Sequence, residues 1–381
     1  MLHILVVVDH AVGTSGPHRN VVGSLNALGA RDDVSVRLLT GEIDEDEPYA
    51  KAENVEVLLG FHPHRLRKVL SNALKVRRAA RGCDVVYVPT GLKSFLYAQF
   101  ARRGRRLVAG PNVTKLPIRR ADSPGRIELR WLCDDWLEAS RYRRDHVRSC
   151  VPEGLRHRVN YIHHALDAGK FSPDRASAEV WQEYGIPVTS LKLLHVGRDG
   201  EPRKGVNELM DAIGLLNDRA GFSEVDFVLV GRMSDMTAER AAKHKNVHLL
   251  GFRQGDELAR IYASADISVI PSSWENMPFS VMESMASGLA VVAGRTGGIP
   301  EQVIDGESGL LVDIRGEDGK HKPEAGAILA EAIGKLVADE SLRERLGRNA
   351  RARVLMRFSE ERLGAELVAC LRDEPGWRGD D

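Results

Sequence analysis

Pro271–Gly288, which reads PSSWENMPFSVMESMASG, says most about the fold of this 381-residue chain. The run Ile267–Ile270 before it has the length and composition of a buried strand. Pro278 suits the first position of a helix, because that position needs no backbone N–H donor. We therefore predict a strand, a loop and a helix that begins near Pro278, which is the repeating unit of a parallel α/β sheet.

The same alternation of short apolar runs and helical stretches extends along most of the chain. The runs before residue 165 are Ile4–Val8, Val34–Leu39, Val55–Leu58, Val85–Val88 and Leu107–Ala109. The later runs are Leu191–Val196, Asp226–Val230, Val247–Leu250, Ile267–Ile270, Ala290–Ala293 and Leu310–Val312. Two such series in a chain too long for one ordinary core predict two doubly wound α/β domains.

The joint between the domains is predicted where Val159–Asp167 passes from strand character into turn residues. We expect an N-terminal acceptor-binding domain at residues 1–165, a donor-binding domain at 166–358 and a terminal segment at 359–381. The helix at Glu360–Arg372 could pack on either domain. In such folds ligands bind at the carboxyl ends of the strands, so loops should carry the chemistry.

Composition places the chain among soluble globular proteins, with 43% hydrophobic and 28% charged residues and a formal net charge of zero. Its start lacks the features of a signal peptide, and no apolar run approaches the roughly 20 residues of a membrane span. The four cysteines are scattered without zinc or disulfide spacing. We expect a cytoplasmic protein.

Two acids of the opening stretch, Glu275 and Glu283, stand eight residues apart. The first should lie in the loop and the second inside the helix. The helix-start amides from Asn276 to Phe279 can bind anionic or hydroxyl groups, because a first turn has no internal acceptors for them. Taken singly, the two acids would be a surface acid and an exposed helix residue.

The combination resembles the E-x7-E motif of family 4 retaining glycosyltransferases. Three further segments continue that family's signature: Gly288–Val292, Gly297–Glu301 and Asp305–Val312. The resemblance implies the GT-B fold, with two facing Rossmann-like doubly wound domains and a cleft between them. It also implies transfer of a sugar from a nucleotide-diphosphate donor with retention of configuration, without a metal or other cofactor.

Upstream, His195–Gly205 (HVGRDGEPRKG) resembles the family segment in which a strand is followed by Gly-Arg and, five residues later, by Lys-Gly. The resemblance implies that Arg198 and Lys204 hold the donor diphosphate. Fixed cations stabilise the charge that gathers on a departing diphosphate. Without the family context, a solvated basic loop would explain this segment equally well.

The resemblance also implies the other donor contacts. Glu283 should bind the ribose, and Phe252 and Arg253 should line the nucleobase, which we expect to be uracil rather than guanine. Glu275 is the third predicted catalytic residue. The donor sugar should contact five consecutive residues, Glu275, Asn276, Met277, Pro278 and Phe279.

The first domain matches the family less well. Gly16 and Arg19 match a glycine-rich segment, where Gly16 would approach the donor phosphates, but Ser15 replaces another glycine. Asn112 stands where many relatives carry a histidine, and asparagine cannot take a proton. Arg19 and Asn112 are the predicted acceptor-side residues for a glycan, lipid or small-molecule hydroxyl.

Two charged segments have other interpretations. Asp44–Asp46 satisfies a D-x-D metal pattern, but its acidic surroundings favour a solvated loop. Arg65–Arg81 predicts a basic amphipathic helix with apolar residues at 66, 69, 70, 73 and 74. A helix that covers the sheet is favoured, and peripheral contact with an anionic membrane is the alternative, as in some family members. Nucleic-acid binding is disfavoured, because aromatic residues do not interleave with the cations.

Two alternatives to a transferase remain open from the sequence. One is a nucleotide-sugar epimerase of related fold, which would need no acceptor. The other is a nucleotide-sugar-binding protein that has lost activity, an idea that Asn112 keeps alive.

Overall fold

The computed structural model describes residues 1–12, 16–64, 69–112, 133–219, 221–222 and 224–378, with backbone only at 16, 17, 111 and 112. The chain divides into two compact units. The first contains residues 1–165 together with the chain from Glu360 onward, and the second contains Leu166–Ser359. The predicted acceptor and donor roles of the two parts stay predictions.

Within the described ranges, the first unit is built on seven parallel strands. They are β1 (Leu2–Val7), β2 (Val34–Leu39), β3 (Val55–Leu58), β4 (Val85–Thr90), β5 (Arg106–Asn112), β6 (Asp135–Glu138) and β7 (Val159–Tyr161), in the order β3-β2-β1-β4-β5-β6-β7. Its helices are α1 (Gly16–Gly29), α2 (Pro48–Lys51), α3 (Val69–Ala79), α4 (Leu92–Ala98), α5 (Arg141–Ser149) and α14 (Glu360–Arg372). Successive residues of β1 alternate between two cores, one on each face of the sheet, so helices cover both faces.

The second unit repeats this plan with six parallel strands in the part of it that the structure describes. They are β8 (Leu191–Val196), β9 (Val225–Val230), β10 (Val247–Gly251), β11 (Ile267–Ile270), β12 (Ala290–Gly294) and β13 (Leu310–Val312), in the order β10-β9-β8-β11-β12-β13. Its helices are α6 (Glu179–Glu183), α7 (Val206–Asn217), α8 (Asp235–Ala241), α9 (Gly255–Ala263), α10 (Phe279–Ala286), α11 (Ile299–Gln302), α12 (Ala325–Ala338) and α13 (Glu340–Arg357). In both sheets the order in which strands are added reverses beside the first strand, as in doubly wound Rossmann-like sheets. The predicted α/β fold class is confirmed.

Each strand run predicted from the apolar pattern is a strand, but the pattern missed β6. Its sequence, DWLE, carries two acids, yet Asp135 and Glu138 are 1% and 2% exposed. Asp135 accepts hydrogen bonds from Arg106 and Asn160, and Glu138 accepts one from Trp136 Nε1 at 2.9 Å. These partners allow buried acids in a strand, a situation that hydrophobic patterning cannot detect.

The terminal helix α14 packs against α1 of the first unit, which answers the question that the sequence left open. Leu363, Leu367 and Leu371 join the core that contains Leu25 and Leu28. At its end Arg372 donates to Asp33 at 2.8 Å.

Helix α3 corrects one prediction. Leu70 and Leu74, expected on an apolar face against the sheet, are 78% and 49% exposed, and Val69 is 45% exposed. Asn72 and Val76 are buried instead. Asn72 fits there because its side-chain amide donates to the His62 carbonyl at 2.9 Å. Residues 65–68 of the predicted helix lie outside the described residues.

None of the helices that the structure describes is long and apolar enough to cross a bilayer. All four cysteines lie within the described ranges, and each is a free thiol.

The ends of β8 and β9 pass unusually close to each other. Gly231, directly after β9, has φ +137°, and a Cβ atom there would lie 1.6 Å from the Gly197 carbonyl oxygen. Only glycine fits, because any side chain would overlap the loop that carries Arg198.

Gly231→Ala is therefore expected to destabilise the second unit by more than about 4 kcal/mol, which chemical unfolding would measure. Gly306→Ala is the matched control. Gly306 also has a positive φ, +72°, but a Cβ there meets nothing within 4 Å. Gly306→Ala should lower the free energy of unfolding by about 1 to 2 kcal/mol, from backbone strain alone. Equal losses in the two variants would contradict the close passage.

Acid sensitivity of the first unit should depend on His164. Burial, together with the nearby His163, lowers the pKa of His164 to about 3 from 6.5. Below pH 6.5 the imidazole therefore binds a proton in the unfolded chain but stays neutral in the folded chain. Its contribution to the free energy of unfolding is fully present above pH 6.5 and is lost between pH 6.5 and 3.

Accordingly, His164→Asn should reduce the loss of unfolding free energy between pH 7 and pH 5 by about 2 kcal/mol. The exposed His157→Asn should leave that difference unchanged. Comparing the two pH values in each variant separates this effect from any loss of packing. An unaltered pH dependence in His164→Asn would show that this histidine is not responsible.

Candidate functional site

The predicted donor residues lie at the carboxyl ends of the second sheet. Arg198 follows β8, Phe252 follows β10, and Glu275 lies in the loop between β11 and α10. Lys204 ends a single 3-10 turn, Pro202–Lys204, just before α7. This is the edge where doubly wound sheets bind ligands.

Gly205 brings the loop 197–205 against the loop 271–278. It has φ +74° and caps the start of α7, and a Cβ there would lie 2.0 Å from the Pro271 carbonyl oxygen. Ser273 N donates to the Arg203 carbonyl at 2.8 Å, which joins the two backbones next to this glycine. The two loops are therefore joined into one continuous surface.

Lys204 and Glu275 meet at this junction. Lys204 Nζ donates to Glu275 Oε1 at 2.6 Å, and Ser272 Oγ donates to the same oxygen at 3.1 Å. Glu275 is 7% exposed, so its interpretation as a surface acid is wrong. The buried carboxylate and the partly buried ammonium group stabilise each other, because either charge alone would be costly to bury there.

Arg203 is a third cation of the site, which the sequence analysis did not single out. Its guanidinium donates to the Trp274 carbonyl at 3.0 Å, lies 5.6 Å from the Trp274 ring centre and reaches Glu275 Oε2 at 3.5 Å. Its position directly before the Lys-Gly pair of the motif could have pointed to it in the sequence. It links the two loops through the second oxygen of Glu275, while Lys204 contacts the first.

Glu201 was not among the predicted site residues either. Its carboxylate pairs with Arg198 through one oxygen and with Arg203 Nη2, at 2.6 Å, through the other. Burial opposes its ionisation, but Arg203 and Arg198 outweigh burial and lower the pKa of Glu201 below its ordinary value. Two of the three cations are thus held by this one acid.

Asp199 fixes the backbone of the same loop. It accepts hydrogen bonds from Ser234 Oγ and Thr237 Oγ1, each at 2.5 Å, and from Gly200 N at 2.6 Å. Burial would raise its pKa, but these hydrogen bonds outweigh burial and lower the pKa to about 2. The loop is thereby tied to the start of α8.

His195 lies beneath the loop at 3% exposure. Its Nδ1 lies 2.9 Å from the Val269 carbonyl, which accepts from it, and burial lowers the pKa of the imidazole. A Cβ atom on Gly197 would lie 2.8 Å from its Nε2. The neutral ring therefore supports the turn that leads to Arg198.

Helix α10 begins one residue later than predicted, with Pro278 as its N-cap rather than its first residue. The ψ of 129° at Pro278 is extended, and its carbonyl accepts from Gln302 Nε2 at 3.1 Å. Met277 is buried, while Asn276 and Phe279 are half-buried. Glu283, on the second turn of α10, is 2% exposed, so it is not an exposed helix residue.

The residues predicted for the nucleobase lie further along the sheet edge. Phe252 is 56% exposed. Arg253 donates to Tyr184 OH at 2.9 Å and pairs with Glu257 at 3.0 Å, which holds its guanidinium over the Tyr184 ring. An aromatic ring and a fixed arginine are available here to a flat ligand.

The first-unit residues are placed less completely. Gly16 is the first residue of α1, and Arg19 is half-buried on the first turn of that helix. Asn112 ends β5, at the carboxyl edge of the first sheet, and its side chain lies outside the described part of the chain.

Among the described residues, no three or more His, Cys, Asp or Glu side chains lie together in a position to hold a metal ion. In the acidic loop, Asp46 N donates to Asp44 Oδ1 at 3.2 Å, a turn contact within the D-x-D pattern.

Both loops lie in a segment that is similar to a known protein family. Residues 190–339 match the profile of the family described as Glycosyl transferases group 1. The D-inositol 3-phosphate glycosyltransferase of Corynebacterium glutamicum is 33% identical over 204 residues, 51% of this chain and 46% of that protein. The enzyme of the same name from Acidothermus cellulolyticus is 31% identical over 231 residues, 57% and 48% of the two chains. The chain thus spans about half the length of the curated relatives it matches.

Solved structures agree on the fold over nearly the whole chain. HepE of Anabaena in complex with UDP gives a TM-score of 0.73 at 18% identity, covering 98% of this chain and 100% of that one. A glycosyltransferase from Rickettsia africae gives 0.75 at 16% identity, covering 98% of each chain. The fold is therefore the two-domain GT-B fold, and the segment that carries Arg198, Lys204 and Glu275 matches the glycosyl transferases group 1 family.

Proposed function

We propose that this protein is a retaining, metal-independent glycosyltransferase that moves a sugar from a UDP-sugar to an acceptor hydroxyl. The observation that carries the proposal is the joined pair of loops, in which Arg198 and Arg203 pair with Glu201 and Lys204 pairs with Glu275. The names of the relatives and the UDP and UDP-glucose bound to HepE support this choice of reaction and donor.

The cations would act on the donor diphosphate. As the bond between the sugar and the phosphate breaks, negative charge gathers on the departing diphosphate. Lys204 is held in place by Glu275, so it is already oriented when the donor arrives. Preorganised charges of this kind stabilise the transition state more than the bound donor. An oxygen of the departing phosphate would accept the proton of the acceptor hydroxyl on the same face of the sugar, which retains configuration.

The remaining donor contacts follow the order of the elements along the sheet edge. Glu275 and the backbone of Asn276–Phe279, at the start of α10, would hold the sugar hydroxyls. Glu283, buried on the same helix, would accept from the ribose hydroxyls. Phe252 and Arg253 would contact the uracil, and Gly16 would approach the phosphates.

The acceptor is proposed only by class. Arg19 and Asn112 would lie on its side, and its hydroxyl could belong to a glycan, a lipid or a small molecule. The inositol phosphate in the relatives' name makes a phosphorylated cyclitol one candidate of the last kind.

The test of the proposal is incubation of the protein with UDP-sugars and an acceptor panel in the presence of EDTA. Proton NMR of the product should show the anomeric configuration of the donor. Turnover of the donor to an isomer without an acceptor would identify an epimerase, and donor binding without any transfer would identify an inactive binding protein.

We further propose that α3 touches an anionic membrane. Its Val69, Leu70 and Leu74 form an apolar face that is exposed in the described part of the chain. A cavity of about 450 Å³ beside α3 is lined by one acid, Glu56, four apolar residues and four cations, namely Arg37, Lys75, Arg78 and Arg81. Exposed leucines with adjacent cations match the interface of an anionic bilayer.

Lys204→Ala and Glu283→Gln should weaken UDP binding in different ways. Lys204→Ala removes a charge from the diphosphate site, so we expect an about 10- to 100-fold higher Kd for UDP and a smaller change for UMP, which lacks the second phosphate. Glu283→Gln should raise the Kd for UDP and UMP by a similar factor, because both ligands carry the ribose. Isothermal titration measures both.

The matched control for the charge change is Lys335→Ala, an exposed lysine of the second unit that pairs with Glu331. Its Kd values should equal those of wild type. Unchanged UDP affinity in both site variants, with melting temperatures that show a folded protein, would refute the donor-site assignment.

A Leu70→Ser/Leu74→Ser double variant should lose binding to vesicles that contain phosphatidylglycerol, about tenfold or more, because two apolar side chains no longer enter the bilayer. Leu355→Ser/Met356→Ser is the control, since these residues are 50% and 68% exposed but lie on α13 of the second unit. Co-sedimentation measures the bound fraction. Equal binding of the two double variants would rule out α3 as the membrane contact.

A further inference from the structure

The loop 197–205 contains its own anion. It carries three cations, Arg198, Arg203 and Lys204, and each is already paired with a carboxylate. A donor diphosphate that binds here must take over at least part of those pairings. The two carboxylates, Glu201 and Glu275, are therefore possible competitors of the ligand.

Glu275 is built in as a fixed part of the site. Its side chain is 10% exposed and accepts from Lys204 and from Ser272, which belongs to its own loop. A Cβ atom at Gly297 would lie 1.6 Å from the Glu275 carbonyl oxygen, so its backbone is also enclosed. Displacing this carboxylate would disturb both loops.

Glu201 is held differently. Its side chain is 31% exposed, and its two oxygens bridge two guanidinium groups, one from Arg198 and one from Arg203. Its carbonyl accepts from Lys204 N at 2.8 Å, so the turn stays formed when the side chain leaves. A carboxylate between two guanidinium groups imitates a phosphate between the same groups.

Arg198 can exchange partners readily. Its side chain is 70% exposed, and its ion pair with Glu201 joins residues only three apart on one turn. Solvent-exposed pairs of this kind are weak and reversible. A dianionic phosphate group offers more charge and more acceptor oxygens than a single carboxylate, so it can replace Glu201 at Arg198.

We propose that Glu201 is an affinity-determining residue of the donor site, a stand-in anion that holds Arg198 and Arg203 until a diphosphate arrives and competes with it afterwards. The inference rests on the proposed function for the identity of the ligand. Glu201 keeps the cations ordered between turnovers, lowers the affinity for the donor and speeds release of the nucleoside diphosphate product.

The sign of one mutational effect tests this role. If Glu201 competes with the ligand, Glu201→Gln, which keeps the shape and removes the charge, should lower the Kd for UDP about 3- to 20-fold, the range expected for two exposed ion pairs. The dissociation rate of UDP should fall by a similar factor. If Glu201 only positions the arginines, the same variant should bind UDP more weakly.

The experiment titrates UDP and inorganic pyrophosphate against wild type and Glu201→Gln, with Glu239→Gln, an exposed acid on α8, as the matched control. The expected result is tighter binding of both ligands by Glu201→Gln alone. Unchanged or weaker binding by Glu201→Gln, or equal tightening in the control, overturns the inference.

The two ligands separate this inference from the proposed function. Binding of UDP that depends on Lys204 but is not tightened in Glu201→Gln leaves the proposed function standing and removes the inference. Pyrophosphate tightened by Glu201→Gln in a protein that does not bind UDP supports the inference and removes the proposed donor. Failure of both ligands to bind either protein overturns both.

Discussion

The second unit's site depends on the close approach of two backbone segments, Arg203–Gly205 and Pro271–Ser273. A glycine with positive φ is required at position 205, because a side chain would overlap the Pro271 carbonyl. That contact sets the reach of Lys204, and the reach of Lys204 places a cation on the buried Glu275. The charges of the site are therefore arranged by a steric constraint on the backbone as well as by electrostatic attraction.

The sequence predicted those features that appear as a repeated apolar pattern or as a local motif. Both sheets were predicted because buried parallel strands consist of short apolar runs, and Lys204 and Glu275 because they stand in a dense family pattern. Strand β6 was missed because its buried acids are paired with side chains outside the strand, Asp135 with Arg106 and Asn160, and Glu138 with Arg143. Helix α3 was assigned the wrong buried face because the buried Asn72 donates from its side-chain amide to a carbonyl ten residues away. In each case a polar residue is buried because a group outside its own strand or helix pairs with it, which periodicity cannot indicate.

The same reason explains the uneven prediction of the site. Arg198, Lys204 and Glu275 were found by motif, whereas Asp199, Glu201 and Arg203 lie inside the same loop and were passed over. Asp199 matters through Ser234 and Thr237 of another element, and Arg203 through Trp274. A motif shows which residues recur in a family. It does not show which neighbouring residues hold them in position.

Asp199 and Glu201 stand two residues apart but differ in what they hold: Asp199 holds the backbone of the loop, and Glu201 holds the ends of side chains. Asp199 binds hydroxyl and amide donors at a buried point, so it fixes the course of the backbone. Glu201 binds the ends of two long side chains at a half-exposed point, so its contacts can be exchanged for those of a ligand without moving the backbone. A site that must bind a highly charged donor and release a highly charged product needs both properties. Its frame must stay preorganised, because reorganisation would cost transition-state stabilisation, and its cations must be able to change partners, because permanent neutralisation would exclude the donor.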